Sequence, residues 1–295
     1  MDQLLRSFLK TVMPVVWVVE VPFARFNRRF LPPRVKPDWV ELKHIRLVLP
    51  RLAPEFHGYR LVQISDLHTD TSLTRDHLLH IVELINQQQP DMVAITGDFV
   101  SHHALPHVED IRVTLSQLRP RDGTVAILGN HDYWAEVDLI RQMLVDSGML
   151  DLNNAVHTLR RGEATLHIAG VDDFWENQAR LDHVLAQLPA SGAAILLAHE
   201  PDFADISAAT GRFDLQLSGH SHGGQVILPF LKPLFAPPYG LKYPIGRYQV
   251  GNMWLYTNRG LGESSIRVRV NCRPEISVFT LEAESVNRQL NEEKI

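Results

Sequence analysis

Leu217-Ser218-Gly219-His220-Ser221-His222-Gly223-Gly224-Gln225 is the stretch whose reading decides the fold. An apolar run, Phe213 to Leu217, leads into it and predicts a buried strand. The glycines beyond that run let the backbone turn sharply. Two histidines stand at i and i+2 among small residues. On a strand this spacing points both rings to one face. On a Gly-rich loop it lets two imidazoles reach two neighbouring metal ions. A polar turn that merely contains histidines is the plainer alternative. It loses ground because the same layout recurs elsewhere in the chain.

Four other apolar runs end in side chains of the same chemical type. Arg60–Ile64 leads into Ser65-Asp66-Leu67-His68, and Asp91–Ile95 into Thr96-Gly97-Asp98. Thr124–Leu128 leads into Gly129-Asn130-His131-Asp132, and Ala193–Ala198 into His199-Glu200-Pro201. A helical pattern follows each of the first three: from Thr74, a candidate cap, to about Gln88, then Val108–Leu118, then about Glu136 to Asp146. This alternation predicts an α/β fold with ligands at the carboxyl ends of the strands. The second half is richer in strands, as in an α+β arrangement. Leu166–Ala169, Met253–Thr257, Ile266–Val270 and Glu275–Leu281 read as strands, Val226–Leu228 as a hairpin return, and Leu181–Leu188 as a short helix.

At 295 residues with 45% apolar and 21% charged content, the chain can bury a sizeable core. A net charge of −5 points to no nucleic-acid partner. The average hides an asymmetry. Residues 1–51 carry ten Lys or Arg against four Asp or Glu, a net of +6; the rest carries nineteen against thirty, a net of −11. One cysteine, Cys272, excludes an intrachain disulfide. The uncharged run Thr11–Val19 is too short to span a bilayer and is broken by Pro14. Arg6, Lys10, Arg25, Arg28 and Arg29 flank Trp17, Phe23 and Phe26, the pattern of a segment lying on an anionic membrane surface. A helix packed on the domain is the alternative. The expected organisation is a basic, apolar segment and linker over 1–51, one domain over 52–282, and a polar tail over 283–295.

The strand ends together offer Asp66, His68, Asp98, Asn130, His131, His199, His220 and His222. Seven of these, two carboxylates, one carboxamide and four imidazoles, are too many for one metal ion and fit two. Two ions ~3.5–4 Å apart suit in-line displacement at phosphorus. The lack of thiolates argues against structural zinc and iron–sulfur clusters.

In order along the chain, Ser65–His68, Gly97-Asp98, Gly129–Asp132, His199-Glu200 and Gly219–His222 resemble the five motifs of the calcineurin-like metallophosphoesterases. The resemblance spans roughly residues 58–282. It implies a four-layer αββα sandwich with a dimetal centre at the strand ends, holding two divalent ions, Mn²⁺ first and Fe or Zn as alternatives. It implies that Asp66, His68 and His222 bind one ion, that Asn130, His199 and His220 bind the other, and that Asp98 bridges. A metal-activated hydroxide would then attack phosphorus. His131 is not a ligand in this pattern; it contacts the phosphate and protonates the leaving oxygen. Some members carry an acid three residues after the bridging Asp to orient this histidine. Here Ser101 stands there, which leaves the orienting partner open.

Asn258-Arg259-Gly260, Arg267-Val268-Arg269 and Asn271-Cys272-Arg273 resemble a bacterial, partly membrane-associated branch of that family. Relatives there include UDP-2,3-diacylglucosamine pyrophosphatases. Arg267 and Arg269, two apart on an expected strand, would share a face and grip a second phosphate. Arg273 is the third candidate for substrate contact, and a surface charge pair is the plainer reading of Arg267 and Arg269. Phe230, Leu234, Phe235, Tyr239 and Tyr243, among prolines, would receive acyl chains or simply pack on the sandwich. The expectation is a phosphodiesterase or pyrophosphatase on a lipid-linked substrate at the cytoplasmic membrane face. The alternatives are a soluble phosphoesterase on nucleotides or phosphomonoesters and a non-catalytic scaffold. The filled ligand positions count against the scaffold.

Overall fold

A computed structural model describes residues 39–227, 236–264 and 268–287. The expected membrane-surface segment, Phe230, Leu234 and Phe235, Arg267, and residues 288–295 of the tail lie outside them.

The chain enters through β1 (Glu41–Leu49) and proceeds to β2 (Tyr59–Ile64). Then α1 (Arg75–Gln87), β3 (Met92–Thr96), α2 (Val108–Leu115) and β4 (Thr124–Ile127) follow in alternation. Thr74 caps α1 as expected, accepting the His77 N–H. After β4 come α3 (Asn130–Trp134), α4 (Val137–Asp146) and the two-residue β5 (Leu150–Asp151). The first sheet runs β1 to β5 with one late strand, β12 (Glu275–Ala283), between β1 and β2. β2, β3, β4 and β5 are mutually parallel; β12 is antiparallel to β2. Because β1 is its edge, this sheet begins N-terminal of the boundary expected at residue 52.

The second sheet uses β6 (Ala155–Arg161), β7 (Ala164–Gly170), β8 (Ala193–Leu197), β9 (Leu215–Ser218), β10 (Gly246–Val250) and β11 (Met253–Thr257). Its order is β10-β11-β9-β8-β7-β6, parallel across the four central strands and antiparallel at both edges. Two helices, α5 (Leu181–Gln187) and α6 (Ala204–Ala209), fall in this half.

Burial explains the layering. In β2 and β3, Val62, Ile64, Val93 and Ile95 pack outward against Ile81, Ile85, Ile111 and Ile140 of the helices. The alternate residues Leu61, Met92 and Ala94 face Ile168, Ile195, Leu197 and Leu217 of the second sheet. The far face of that sheet, with Ala194, Leu196 and Leu255, packs on Val184 and Ala204. Both faces of the central strands are apolar because both are covered. The result is the four-layer αββα sandwich. Within the dry middle layer Gln63 donates to Ser218 O at 2.9 Å and Thr96 Oγ1 at 3.0 Å, a polar tie between the sheets beside the strand ends.

Several elements escaped the pattern reading. β6 is half-buried along nearly its whole length and carries His157, Arg160 and Arg161, so its periodicity is weak. β10 alternates between half-buried and exposed positions at a sheet edge. α3 is little more than one turn, and α6 follows a Pro-initiated 3-10 turn. The expected closing strand Ile266–Val270 does not form among its described residues. Val268 and Arg269 lack regular structure, and Val270 makes one parallel bridge to Val226. Of the expected hairpin return at Val226–Leu228, the described residues Val226 and Ile227 pair with Val270. The buried Arg269 guanidinium donates to the Gly262 and Cys272 carbonyls, which fastens this segment to loops and not to a sheet neighbour. Among the described residues, no helix is long and apolar enough to cross a membrane.

Candidate metal centre

The ends of five parallel strands from two sheets converge on one spot. Asp66 and His68 follow β2, Asp98 follows β3, Asn130 and His131 follow β4, His199 follows β8, and His220 and His222 follow β9. Five of these, Asp66, His68, Asp98, His220 and His222, have φ between +43° and +69°. Non-glycine residues avoid that region, and such strain concentrates at functional sites. Backbone pairing holds it in place: Asp66 N donates to Gly97 O at 2.9 Å and His68 N to Asp98 O at 3.2 Å.

Three overlapping donor groups result: Asp66, His68 and His222; His68, Asp98 and His131; Asp98, His199 and His220. Within each, one donor atom per residue lies within 4.8 Å of the others. Asp98 belongs to two of them. Its Oδ2 is 3.1 Å from His199 Nε2 and 3.6 Å from His68 Nε2. All the donors except half-buried His131 are almost completely buried. These clusters suit a dimetal centre.

The tautomers point the same way. His199 Nδ1 donates to Thr96 O at 2.7 Å, which turns Nε2 inward; His220 Nε2 donates to Pro238 O at 2.8 Å, which leaves Nδ1. His68 Nδ1 bonds Ser101 Oγ at 2.7 Å, leaving Nε2. Fixing one ring nitrogen so that the other can ligate is the usual arrangement around protein-bound metals. Asn130 Oδ1 is buried without a hydrogen-bond partner, and the inward His199 Nε2 has none beyond its ion pair with Asp98 Oδ2. Such atoms are costly unless something else satisfies them, and a cation does so.

Burial pushes His68 down to about 3 and His220 to about 4, and holds His222 well below its ordinary value. These rings are neutral, the form that ligates. Burial also raises Asp66 to about 6. Burial alone would lower His199, but the Asp98 carboxylate beside it outweighs that and raises it well above the usual imidazole value.

The structure supplies the orienting partner of His131. Its Nδ1 donates to Ser101 O at 3.0 Å, while its own N–H donates to Asp98 Oδ1 at 3.0 Å. The Ser101 side chain serves His68, so one residue orients both rings. The loop carrying Ser101 is fastened by carboxylates the sequence reading passed over. Asp132 accepts from Asp98 N and Gly129 N, each at 3.0 Å, and from Phe99 N at 2.8 Å. Asp70 accepts from Ser101 N at 2.6 Å and His102 N at 2.8 Å. Both lie inside or next to the quoted motifs. Their signal was position alone, since backbone N–H partners are invisible in a sequence.

The C-terminal Asn258-Arg259-Gly260 stretch buttresses the same loops. Leu261 N donates to Ser65 O at 3.0 Å and Gly262 N to Asp66 O at 2.7 Å. Arg259 is anchored by Glu275 at 2.5 Å and Glu41 at 2.7 Å. Arg269 is buried behind His222, with Nη2 3.5 Å from His222 Nδ1. Arg273 is exposed and donates to Trp39 O at 2.8 Å.

Gly219 has no room for a side chain. A Cβ there would overlap Ser65 Oγ and Asp66 Oδ2. Gly219→Ala therefore displaces Asp66, and bound metal measured by plasma mass spectrometry is expected to fall from about two ions per chain to about one. Metal loading should also depend on pH. Below about 6 the Asp66 carboxyl keeps its proton in the metal-free chain, so an ion must displace it. Calorimetric titrations in buffers of different ionisation enthalpy should find more protons released per ion at pH 5.5 than at pH 7.5. Equal release would contradict the raised Asp66.

The sequence profile described as calcineurin-like phosphoesterase matches residues 59–224. The chain is 33% identical to the Bacillus subtilis metallophosphoesterase YkuE over 84% of this chain and 88% of that protein. It is 30% identical to the Escherichia coli phosphodiesterase YaeI over 83% of this chain and 90% of that one. A zebrafish transmembrane protein with a metallophosphoesterase domain is 30% identical over 93% of this chain and 63% of its own length. Fold, buried donor clusters and sequence agree: the chain belongs to the calcineurin-like phosphoesterase family, and it is a metal-dependent phosphoester hydrolase.

Proposed function

We propose that this chain hydrolyses a phosphodiester at a dimetal centre. Asp66, His68 and His222 would hold one ion, Asn130, His199 and His220 the other, and Asp98 would serve both. The observation that carries this is that the Asp98 carboxylate lies in one donor group with His68 and in another with His199 and His220, and so touches both proposed ligand sets. The identity with the phosphodiesterase YaeI supports the diester class. Two bound divalent ions, manganese in our reading, would supply Lewis acidity to the phosphoryl oxygens and lower the pKa of water.

The chain's own residues supply the rest. His131 gives its Nδ1 proton to Ser101 O and keeps Nε2 for the substrate. A protonated Nε2 donates to the leaving oxygen and so neutralises charge as the P–O bond breaks. Ser101 O holds the ring and Asp98 holds the His131 backbone, which limits the motion lost on reaching the transition state. The near-complete burial of the other donors keeps competing water from the floor of the centre.

His131→Ala should lower kcat for bis(p-nitrophenyl) phosphate about 10²–10⁴-fold, with bound metal still about two ions per chain. p-Nitrophenyl phosphate should be the poorer substrate for the wild-type chain. Loss of metal in the variant would contradict its role, and preference for the monoester would contradict the diester reading.

A second reading places the substrate at a membrane face, lipid-linked in the manner of UDP-2,3-diacylglucosamine. The basic, apolar residues 1–38 and the similarity to a transmembrane zebrafish protein favour it. Arg267 and Arg273 remain the candidates for a second phosphate; Arg269 is the weaker one, because its guanidinium already serves backbone carbonyls. Deleting residues 1–30 should release the chain from phosphatidylglycerol vesicles while hydrolysis of the small diester persists. Equal vesicle binding after the deletion would remove this reading.

A further inference from the structure

One wall of the centre is aromatic, and metal chemistry does not call for it. Trp134 ends α3, three residues after His131, and its ring centroid lies 4.6 Å from the His131 ring. Trp175, in the loop after β7, meets Trp134 at 5.5 Å with the planes at 87°. Trp175 in turn lies 5.6 Å from His220. The two indoles thus form an arc from the phosphate-facing histidine to the far donor group.

Packing against His131 accounts for part of this arrangement. It does not account for the exposure of Trp134, which stands 42% open to solvent although it is one of the largest apolar side chains in the described residues. The ring is also held in place. Its Nε1 donates to Glu176 Oε1 at 2.8 Å. Trp175 is positioned by its backbone N–H, which donates to Glu200 Oε1 at 2.9 Å, next to His199. An exposed indole already held in one orientation loses little freedom when a ligand stacks on it. Two planes at right angles form a corner in which a third ring stacks on one and meets the other edge-on, the geometry aromatic rings prefer.

We propose that Trp134 and Trp175 form the subsite for a planar aromatic group esterified to the substrate phosphate, either a nucleobase-bearing or an aryl group. The proposal rests on the phosphodiesterase reading and narrows its substrate class. His131 at one end of the arc puts the aromatic group on the side from which the leaving oxygen is protonated. An aliphatic ester would reach the same centre and leave the corner empty.

Non-hydrolysable phosphonates separate binding from turnover. Ethylphosphonate, phenylphosphonate and 5′-deoxythymidine-5′-phosphonate, each with phosphorus bonded to carbon where the ester oxygen would be, would be titrated calorimetrically into the full-length, Mn²⁺-loaded chain. At least one of the two aromatic probes should bind roughly 5-fold or more tightly than ethylphosphonate. The larger preference tells an aryl from a nucleoside group. Trp134→Ala should erase that preference, and Trp134→Phe should keep most of it. Equal binding of all three probes by the wild-type chain, or no binding of any, would overturn the subsite; so would a Trp134→Ala change that weakens ethylphosphonate as much as the aromatic probes. An aromatic preference without hydrolysis of bis(p-nitrophenyl) phosphate would instead overturn the phosphodiesterase reading and leave the subsite standing. Absence of the preference in the wild-type chain, with hydrolysis intact, would sink the subsite alone.

Discussion

Asp98 is the group on which the rest of the centre depends. Its Oδ1 accepts the His131 N–H, and its Oδ2 lies between His199 and His68. One carboxylate thereby fixes the spacing of both donor groups and the placement of the only half-buried histidine among them. Burial would raise its pKa, but His199 and His131 outweigh that and hold it well below the ordinary carboxylate range. A buried charge is tolerated only when partners surround it, and here they come from three strand ends. Its positive φ is imposed by the same geometry, and Asp132 stabilises it through the Asp98 and Phe99 N–H groups.

The scaffold serves to bring those strand ends together. Each sheet is parallel through its centre, so β2, β3 and β4 finish on one side, and so do β8 and β9. Packing the two sheets through an apolar layer then aligns the two sets of carboxyl ends. The loops that leave them lie so close that Gly97, Gly129 and Gly219 cannot carry a Cβ without meeting a donor side chain or its neighbour. The site is rigid because it is crowded. Crowding of this kind keeps inward nitrogens and oxygens pointed at a common space even where they lack protein partners.

Around this rigid floor the rim is built differently. The aromatic arc stands on the short helix after β4 and on the loop after β7, outside the donor clusters. The Trp134 indole donates to Glu176 and the Trp175 backbone N–H to Glu200, and neither ring is fully buried. Such a division suits an enzyme in which the floor performs the hydrolysis common to the family and the rim selects the ester. Family membership therefore speaks to the chemistry of the floor, and substrate choice has to be argued from the rim.

Much of this was legible in the sequence. Apolar runs that stop at Asp, Asn or His predicted β2, β3, β4, β8 and β9, because a strand buried on both faces must be apolar throughout and must end where polar atoms begin. Those same stops carry the Asp and His side chains that the structure gathers into three donor groups. Tertiary structure decided what depends on contacts between distant segments. β12 inserts between β1 and β2 from more than two hundred residues away, which no local period encodes. Ser101 divides its hydroxyl and carbonyl between His68 and His131, a choice set by the path of a loop that Asp70 and Asp132 fasten. Among the described residues of the expected strand, Arg269 has no sheet partner and its guanidinium donates to the Gly262 and Cys272 carbonyls. Trp134 and Trp175 are separated by forty residues and meet only because β4 and β7 end side by side across the sandwich. Residue type and spacing determined the chemistry, since donors are intrinsic to side chains. The orientation of each donor and the walls around it came from packing, which forms only when the two sheets close on each other.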